Sequence, residues 1–446
     1  MVAIQENLGR ARADLPSGGL RLATPKVASP PQATLSLPMR MMVYATVGTF
    51  YLSNAYLSDG ASPLAVLTTL KWIPLGCLGM MCFAKASRTP LLAPNLGVVS
   101  ILLFPLLVSV FVSDDMTRSA AYVVSVAVVL LTGQVIALQL PNRQQFQLFT
   151  DIIKNIGFVL IASSACMWLL GMNWGRGAPR FSAWSDNPNT LGLMLAPVLT
   201  ILFANVLQRR RRWTWIDAPF LLVGLFVLAE TQARASILWV ATAAAALLFG
   251  RRIRPLTLCF VLCGLVLALN FHHQIESFAV VVLRHREEHA TADLLSGRME
   301  QWNLGLSLFA KQPWFGYGFG MSQPLIEAYD WVFISTEGDA FHNSYLTILV
   351  ETGLVGLVVS GGFFLLSALG GFVTIQRAQG LSREEWVSMA LPWAMTCGAL
   401  AHGFFESWLF SAGNANGMLF WTFLFLMRKG GARFTARKPE PLQQWR

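Results

Sequence analysis

Apolar residues in this chain fill whole stretches instead of marking one face of each element. Runs of predominantly apolar residues recur from residue 38 to residue 427. Most are close to the ~20 residues that carry a helix across a hydrocarbon layer ~30 Å thick. The pattern predicts twelve spans: 38–57, 62–83, 91–112, 119–140, 152–171, 188–207, 215–230, 235–250, 255–271, 342–373, 386–402 and 406–427. The run at 342–373 is longer than one crossing needs and has a candidate break at Gly361–Gly362. Those at 215–230 and 235–250 are short enough for a tight re-entrant hairpin. The predicted fold is an all-α polytopic membrane protein of about twelve transmembrane helices over 38–428, with one large external loop, 272–341, bearing short amphipathic helices. Residues 1–37 carry Pro, Ala and Arg without an apolar h-region, so they predict a disordered cytoplasmic tail and not a cleaved leader. Residues 429–446 form a second cytoplasmic tail.

Composition agrees with the pattern. Hydrophobic residues make up 54% of the chain and charged residues 13%, about half the charged share of a soluble domain. The net charge of +10 changes the picture more, because it is unevenly placed. Basic residues concentrate before residue 40, at Lys85 and Arg88, Arg143 and Lys154, Arg209–Arg212, Arg251–Arg254, Arg377 and Arg383, and after Arg428. Positive loops stay cytoplasmic, so both termini are expected inside. The same dispersal among short loops argues against a nucleic-acid footprint. The six cysteines all lie in apolar segments. That predicts no disulfide framework, and core packing, not a metal site, for Cys259 and Cys263.

With this orientation the external face holds most of the candidate chemistry. The large loop contains "SGRMEQWNLGLSLFAKQPWFGYGFG". Met299, Trp302, Leu306 and Phe309 fall at helical spacing and predict a surface helix, followed by a Pro-Gly turn region over Pro313–Gly320. The glycines of "GYGFG" make a poor phosphate cradle, since no strand precedes them and no Lys-Ser/Thr follows. A tight aromatic turn fits better. Shorter external loops carry Arg176 and Arg180, Glu230 and Arg234, and His402 and Glu406.

Arg176, Arg180, Arg234, Arg298 and His342 thus gather at or near external helix ends. Ionisable groups at a membrane edge are functional candidates. The planar arginine fork suits a pyrophosphate, and histidine suits general-base work near neutral pH. Plainer readings stand beside these. An external arginine also snorkels or binds a lipid headgroup, Arg298 also fits a solvated helix face, and His342 also fits a helix-start residue bonded to nearby backbone. Asn343 also fits a helix cap. Glu351, nine residues beyond His342, projects from the opposite helix face and is expected to bond a neighbouring element. Lys71, inside a span, snorkels or pairs with an acid not identifiable from sequence.

Four stretches in order, "DNPNTLG", "TQARAS", "SGRMEQWNLGLSLFAKQPWFGYGFG" and "HNSYLTILVETGLVGL", resemble the bacterial O-antigen ligase and polysaccharide polymerase superfamily across roughly 186–359. The resemblance implies a multi-pass protein of the bacterial inner membrane with its active site facing the periplasm. It implies an inverting glycosyltransferase that needs no metal or cofactor and moves glycan from undecaprenyl pyrophosphate to an acceptor hydroxyl. The acceptor is another lipid-linked repeat in a polymerase, the reading overall resemblance favours, and lipid A-core in a ligase. The superfamily's arginines fall on Arg234 and Arg298 and its histidine on His342. Where that hairpin commonly reads Ser-Arg, this chain has Ala233-Arg234. Substrate contacts are expected from Arg176, Arg180, Asn343, Tyr345, Trp302, Trp314 and Tyr317, with membrane lipids and polysaccharide assembly proteins as candidate partners and no nucleic acid. A lipid-linked sugar flippase or other transporter is the reading from another class; transporters commonly have two related halves, and the sequence contains no such duplication.

Overall fold

The computed structural model describes residues 36–53, 69–86, 92–140, 142–174, 180–185, 187–208, 214–250, 298–328, 341–378, 380–411 and 413–428. Within them the chain forms α1 (Leu37–Leu52), α2 (Trp72–Ala86), α3 (Leu92–Val110), α4 (Met116–Gln139), α5 (Arg143–Leu169), α6 (Pro188–Gln208) and α7 (Thr214–Thr231). There follow α8 (Arg234–Phe249), α9 (Arg298–Lys311), α10 (Ser322–Glu327), α11 (Ser344–Arg377), α12 (Arg383–His402) and α13 (Ala415–Arg428). The expected span at 255–271 and Arg176 lie outside the described residues.

Local chemistry sets several of these boundaries. Asp115 caps α4 by accepting from the Arg118 N–H, and Asn142 caps α5 through Gln145. Ser382 and Glu385 form a reciprocal capping box at α12, which satisfies two N–H groups that a helix start leaves unpaired. The apolar runs then propagate the helices. Four of them, α4, α5, α6 and α11, are long and apolar enough to cross a membrane, and shorter apolar helices occur within α2, α3 and α8. Large apolar side chains face outward along them, among them Ile101, Phe104, Val124, Val159, Leu222 and Leu366. Exposed apolar surface on this scale fits lipid and not water.

The helices surround one principal core. α4 packs on α13, α3 and α2, while α8 packs on α12 and α6. α7 packs on α6 and α5, so α7 and α8 share α6 as a partner. Between α5 and α7, buried Lys154 sits 3.2 Å from Asp151 and 3.5 Å from Asp217. A smaller cluster of Leu308, Ile326, Phe341, Leu346 and Val350 joins α9 and α10 to α11.

Three sequence expectations need correcting. The span expected at 152–171 is a helix from Arg143. That expected at 406–427 is helical only from Ala415, and 403–414 is a structured loop. The break in α11 is at Gly353 (φ +66°, ψ −166°) and not at Gly361–Gly362. The cause is a loop inserted into the helix. The N–H groups of Leu354 and Val355 donate to the carbonyls of Pro313 and Trp314, while Tyr317 and Gly318 N–H groups donate to the carbonyls of Val350 and Glu351. The loop thus takes up backbone groups that the break releases, a recognised origin of a sharp kink. Only glycine settles readily into Gly353's conformation, and a Cβ there would collide with the Trp314 carbonyl. "GYGFG" is therefore the wedge itself, with positive φ at Gly316, Gly318 and Gly320. Glu351 completes the joint: its Oε1 accepts from the Ser322 N–H (3.1 Å) and hydroxyl (2.6 Å), a neighbouring element as expected. Lys71, for which snorkelling or an acid partner was expected, donates to the Gly413 carbonyl (2.8 Å) and lies over the Phe50 ring.

Candidate active site

The site grows from the start of α11. Asn343 caps the helix, its Oδ1 accepting from the Tyr345 and Leu346 N–H groups at 3.0 Å each, an arrangement that contributes about 1 kcal/mol. The residue before the cap, His342, has φ +48°. Among the described residues the other non-glycine positions with positive φ are Ala183 and Gln232, and Gln232 precedes Arg234 by two. Such backbone costs about 1–3 kcal/mol and persists where surroundings impose it.

Here the surroundings are the loop that follows α12. The Asn343 N–H donates to Ser407 Oγ (2.9 Å). Ser344 Oγ donates to the Glu406 carbonyl (2.6 Å) and accepts from the Trp408 N–H (3.0 Å), and the Ser344 N–H reaches the Gly403 carbonyl. Two segments separated by 59 to 64 residues in sequence are thereby held in register.

That register brings Glu406 between two basic groups. Its Oε2 lies 3.1 Å from His342 Nδ1, and its Oε1 lies 3.0 Å from an Arg298 guanidinium nitrogen. The Glu406 side chain is 16% exposed, those of His342 and Arg298 22% and 25%, so the cluster is half-screened from solvent. Burial pushes the Glu406 carboxyl up, but the hydrogen bond and charge of His342, with Arg298 and His402 behind them, outweigh it and hold the group below its ordinary value. Glu406 is therefore a carboxylate, which only accepts. Nδ1 of His342 must carry the proton, and in the neutral ring Nε2 is left as the basic nitrogen.

Arg234 is the first residue of α8 and is exposed. A cation at a helix N-terminus opposes the macrodipole, whereas an anion there is attracted by both. Two residues on, buried Ser236 Oγ lies 3.2 Å from His402 Nε2. His402 Nδ1 accepts from the Trp408 indole N–H (2.8 Å), so the neutral ring's Nε2–H donates to Ser236. Trp239 stacks on Trp408 with ring centroids 5.5 Å apart. The Arg234 helix is thus joined through His402 and Trp408 to the loop that carries Glu406.

The other sequence candidates divide. Tyr345 donates to the Leu400 carbonyl (2.8 Å) and packs on Phe404, beside the site. Trp302 donates to the Phe341 carbonyl and Tyr317 to the Leu308 carbonyl. Both pack against the smaller core and brace α9 on α11. Trp314 is 63% exposed. The Arg180 carbonyl accepts from Asn173, within the loop before α6. Sequence reasoning assigned no role to Glu406 or His402. The available signal was their position: an acid and an imidazole four residues apart, in a short external loop otherwise rich in aromatics.

Residues 218–360 match the O-antigen ligase family, a stretch that contains Arg234, Arg298 and His342. No curated protein matches the chain significantly.

Proposed function

We propose, from the premise that residues 218–360 place this membrane protein in the O-antigen ligase and polysaccharide polymerase superfamily, that it transfers glycan from undecaprenyl pyrophosphate to a sugar hydroxyl at the periplasmic face of a bacterial inner membrane. The observation that carries this reading is the His342–Glu406–Arg298 cluster: one carboxylate orients an imidazole and an arginine at a loop–helix junction. His342 Nε2 takes the proton of the acceptor hydroxyl as its oxygen attacks the anomeric carbon. The bond from that carbon to the pyrophosphate oxygen breaks, and lipid pyrophosphate leaves with the electron pair. Arg234 and Arg298 stabilise the charge that develops there. Arg298 has two tasks, Glu406 on one nitrogen and phosphate on others, which its five N–H donors permit and a lysine's point charge does not.

The polymerase reading is preferred over the ligase reading on overall sequence resemblance. The test is the glycan profile of a deletion strain complemented with wild type, Arg234→Ala, Arg298→Ala and the two Arg→Lys variants. Single repeats without long chains indicate a polymerase, and long chains left on the lipid carrier indicate a ligase. Loss of lipid-linked units from the outer leaflet would overturn the transferase reading in favour of a flippase. Each Ala variant is expected to behave as the deletion at normal protein level, and each Lys variant to recover little. Full activity of both Lys variants would show that generic charge suffices.

The orientation rests on the uneven spread of basic residues. Reporter fusions after Arg210 are expected to signal cytoplasm, and fusions near Glu300 periplasm. The reverse pattern would remove the donor from reach of the site.

A further inference from the structure

From Asn187 onward "DNPNTLG" lies at the start of α6, and neither the cluster at Glu406 nor the transfer chemistry uses it. Beside it is a cavity of about 70 Å³, lined by Tyr51, Thr190, Leu193, Gly413, Asn414 and Asn416 among others. We infer that this cavity is a glycan subsite that takes the hydroxyl-bearing edge of one sugar ring, an inference that rests on the glycan-transfer reading.

The sequence builds the cavity through one proline. Pro197 interrupts α6 and has no N–H, so the carbonyl four residues earlier, Leu193, loses its helical partner. Asn416 fills that place, its Nδ2 donating to the Leu193 carbonyl (3.1 Å). Because that carbonyl only accepts, the amide orientation is fixed. Asn416 Oδ1 is left fully buried and without a hydrogen-bond partner among the described residues. Asn416 is 1% exposed and lines the cavity, and a buried acceptor left unmet is costly.

The neighbouring groups narrow the ligand. An anion would meet the Asn416 oxygen lone pairs. A cation would meet the Lys71 amine, which is bound to the Gly413 carbonyl (2.8 Å). Thr190 offers a hydroxyl that both donates and accepts. Tyr51 donates to the Met194 carbonyl (3.3 Å) and keeps lone pairs to accept with. Mixed donors and acceptors without net charge match neutral hydroxyls. The volume suits about two water-sized groups, such as vicinal hydroxyls or a hydroxymethyl arm, and is too small for a whole ring. Position agrees as well. Glu406 and Gly413 lie on the same loop, seven residues apart, a span of at most about 25 Å, which an oligosaccharide covers.

Donor and acceptor glycans both carry such hydroxyls, so the experiment varies each in turn. The full chain, purified in detergent, is assayed with lipid-pyrophosphate oligosaccharide extracted from a host strain lacking the gene. The acceptor is free oligosaccharide released from the same lipid. Two variants are compared with wild type. Asn416→Leu removes the unmet acceptor but also strips the Leu193 carbonyl. Gly413→Val leaves those hydrogen bonds intact: a Cβ there finds Lys71 Nζ and Ser411 Oγ at 3.9 Å, ordinary contact, while the branched side chain narrows the cavity. Both are expected to raise KM for one glycan on the order of tenfold, the equivalent of one lost hydrogen bond, with kcat within about twofold. A rise for free oligosaccharide assigns the cavity to the acceptor, and a rise for the lipid-linked form assigns it to the donor. Unchanged KM for both in Gly413→Val would mean that the cavity holds water only, and would overturn the subsite while leaving the transferase reading intact. A fall in kcat without a change in KM would overturn it too. A wild-type protein that transfers no glycan would bring down reading and subsite together.

Discussion

His342→Ala is expected to slow glycan transfer by a factor on the order of 10²–10⁴, the usual contribution of a general base, while donor binding survives on Arg234 and Arg298. The size follows from the tautomer. Glu406 accepts from Nδ1, so Nε2 is the one basic atom the ring presents. The measurement is single-turnover transfer from a synthetic lipid-pyrophosphate donor, for wild type, His342→Ala and His342→Gln, with donor affinity measured separately. A glutamine variant near the wild-type rate would show that a hydrogen bond to the acceptor is sufficient. Proton removal would then be late, to solvent or to the leaving phosphate, and the base assignment would be dropped.

Glu406→Gln is expected to reduce transfer on the order of 10²–10⁴ as well, although Glu406 touches no substrate in this scheme. The amide keeps the shape of the carboxylate but offers an N–H to Nδ1. That stabilises the other tautomer and places a proton on Nε2, the logic by which a carboxylate-to-amide change disables a catalytic histidine elsewhere. The same change removes the anion beside Arg298. It also alters the response to acid. Because Glu406 is held below its ordinary value in the folded protein, its stabilisation is fully present above the unfolded carboxylate's pKa. It is lost as pH falls through the lowered folded value. Melting temperature in detergent, followed from neutral pH downward, is expected to fall in that acid window for wild type and to flatten there for Glu406→Gln. Equal acid slopes in the two proteins would mean that the carboxylate is not held by its basic neighbours.

Much of the helical layout was legible in the chain because its causes are local. The α6 boundaries, Pro188–Gln208, fall within one residue of the expected 188–207, where Pro188 opens an apolar run. α7 and α8 agree equally well, and the two-residue turn between them leaves Arg234 at a helix start. The identity of the candidate residues was legible too. Arginine in an apolar hairpin and histidine before an asparagine cap are placements that hydropathy alone does not favour.

What sequence could not supply was partnership across distance. The run Trp408–Phe410 reads as the start of a span, yet Trp408 stacks on Trp239 and its indole N–H meets His402, which leaves helix α13 to begin at Ala415. Gly361 and Gly362 look like the weak point of α11, yet the break is at Gly353, because only there does another segment fill the ladder. Glu406 is 64 residues from His342 and 108 from Arg298. Hydropathy and capping report what each residue prefers against its own neighbours and the bilayer, which determined much of the helical layout and the list of reactive side chains. Which carboxylate meets which imidazole depends on where loop backbones find hydrogen-bond partners after the helices have packed, and the tertiary structure alone decides that.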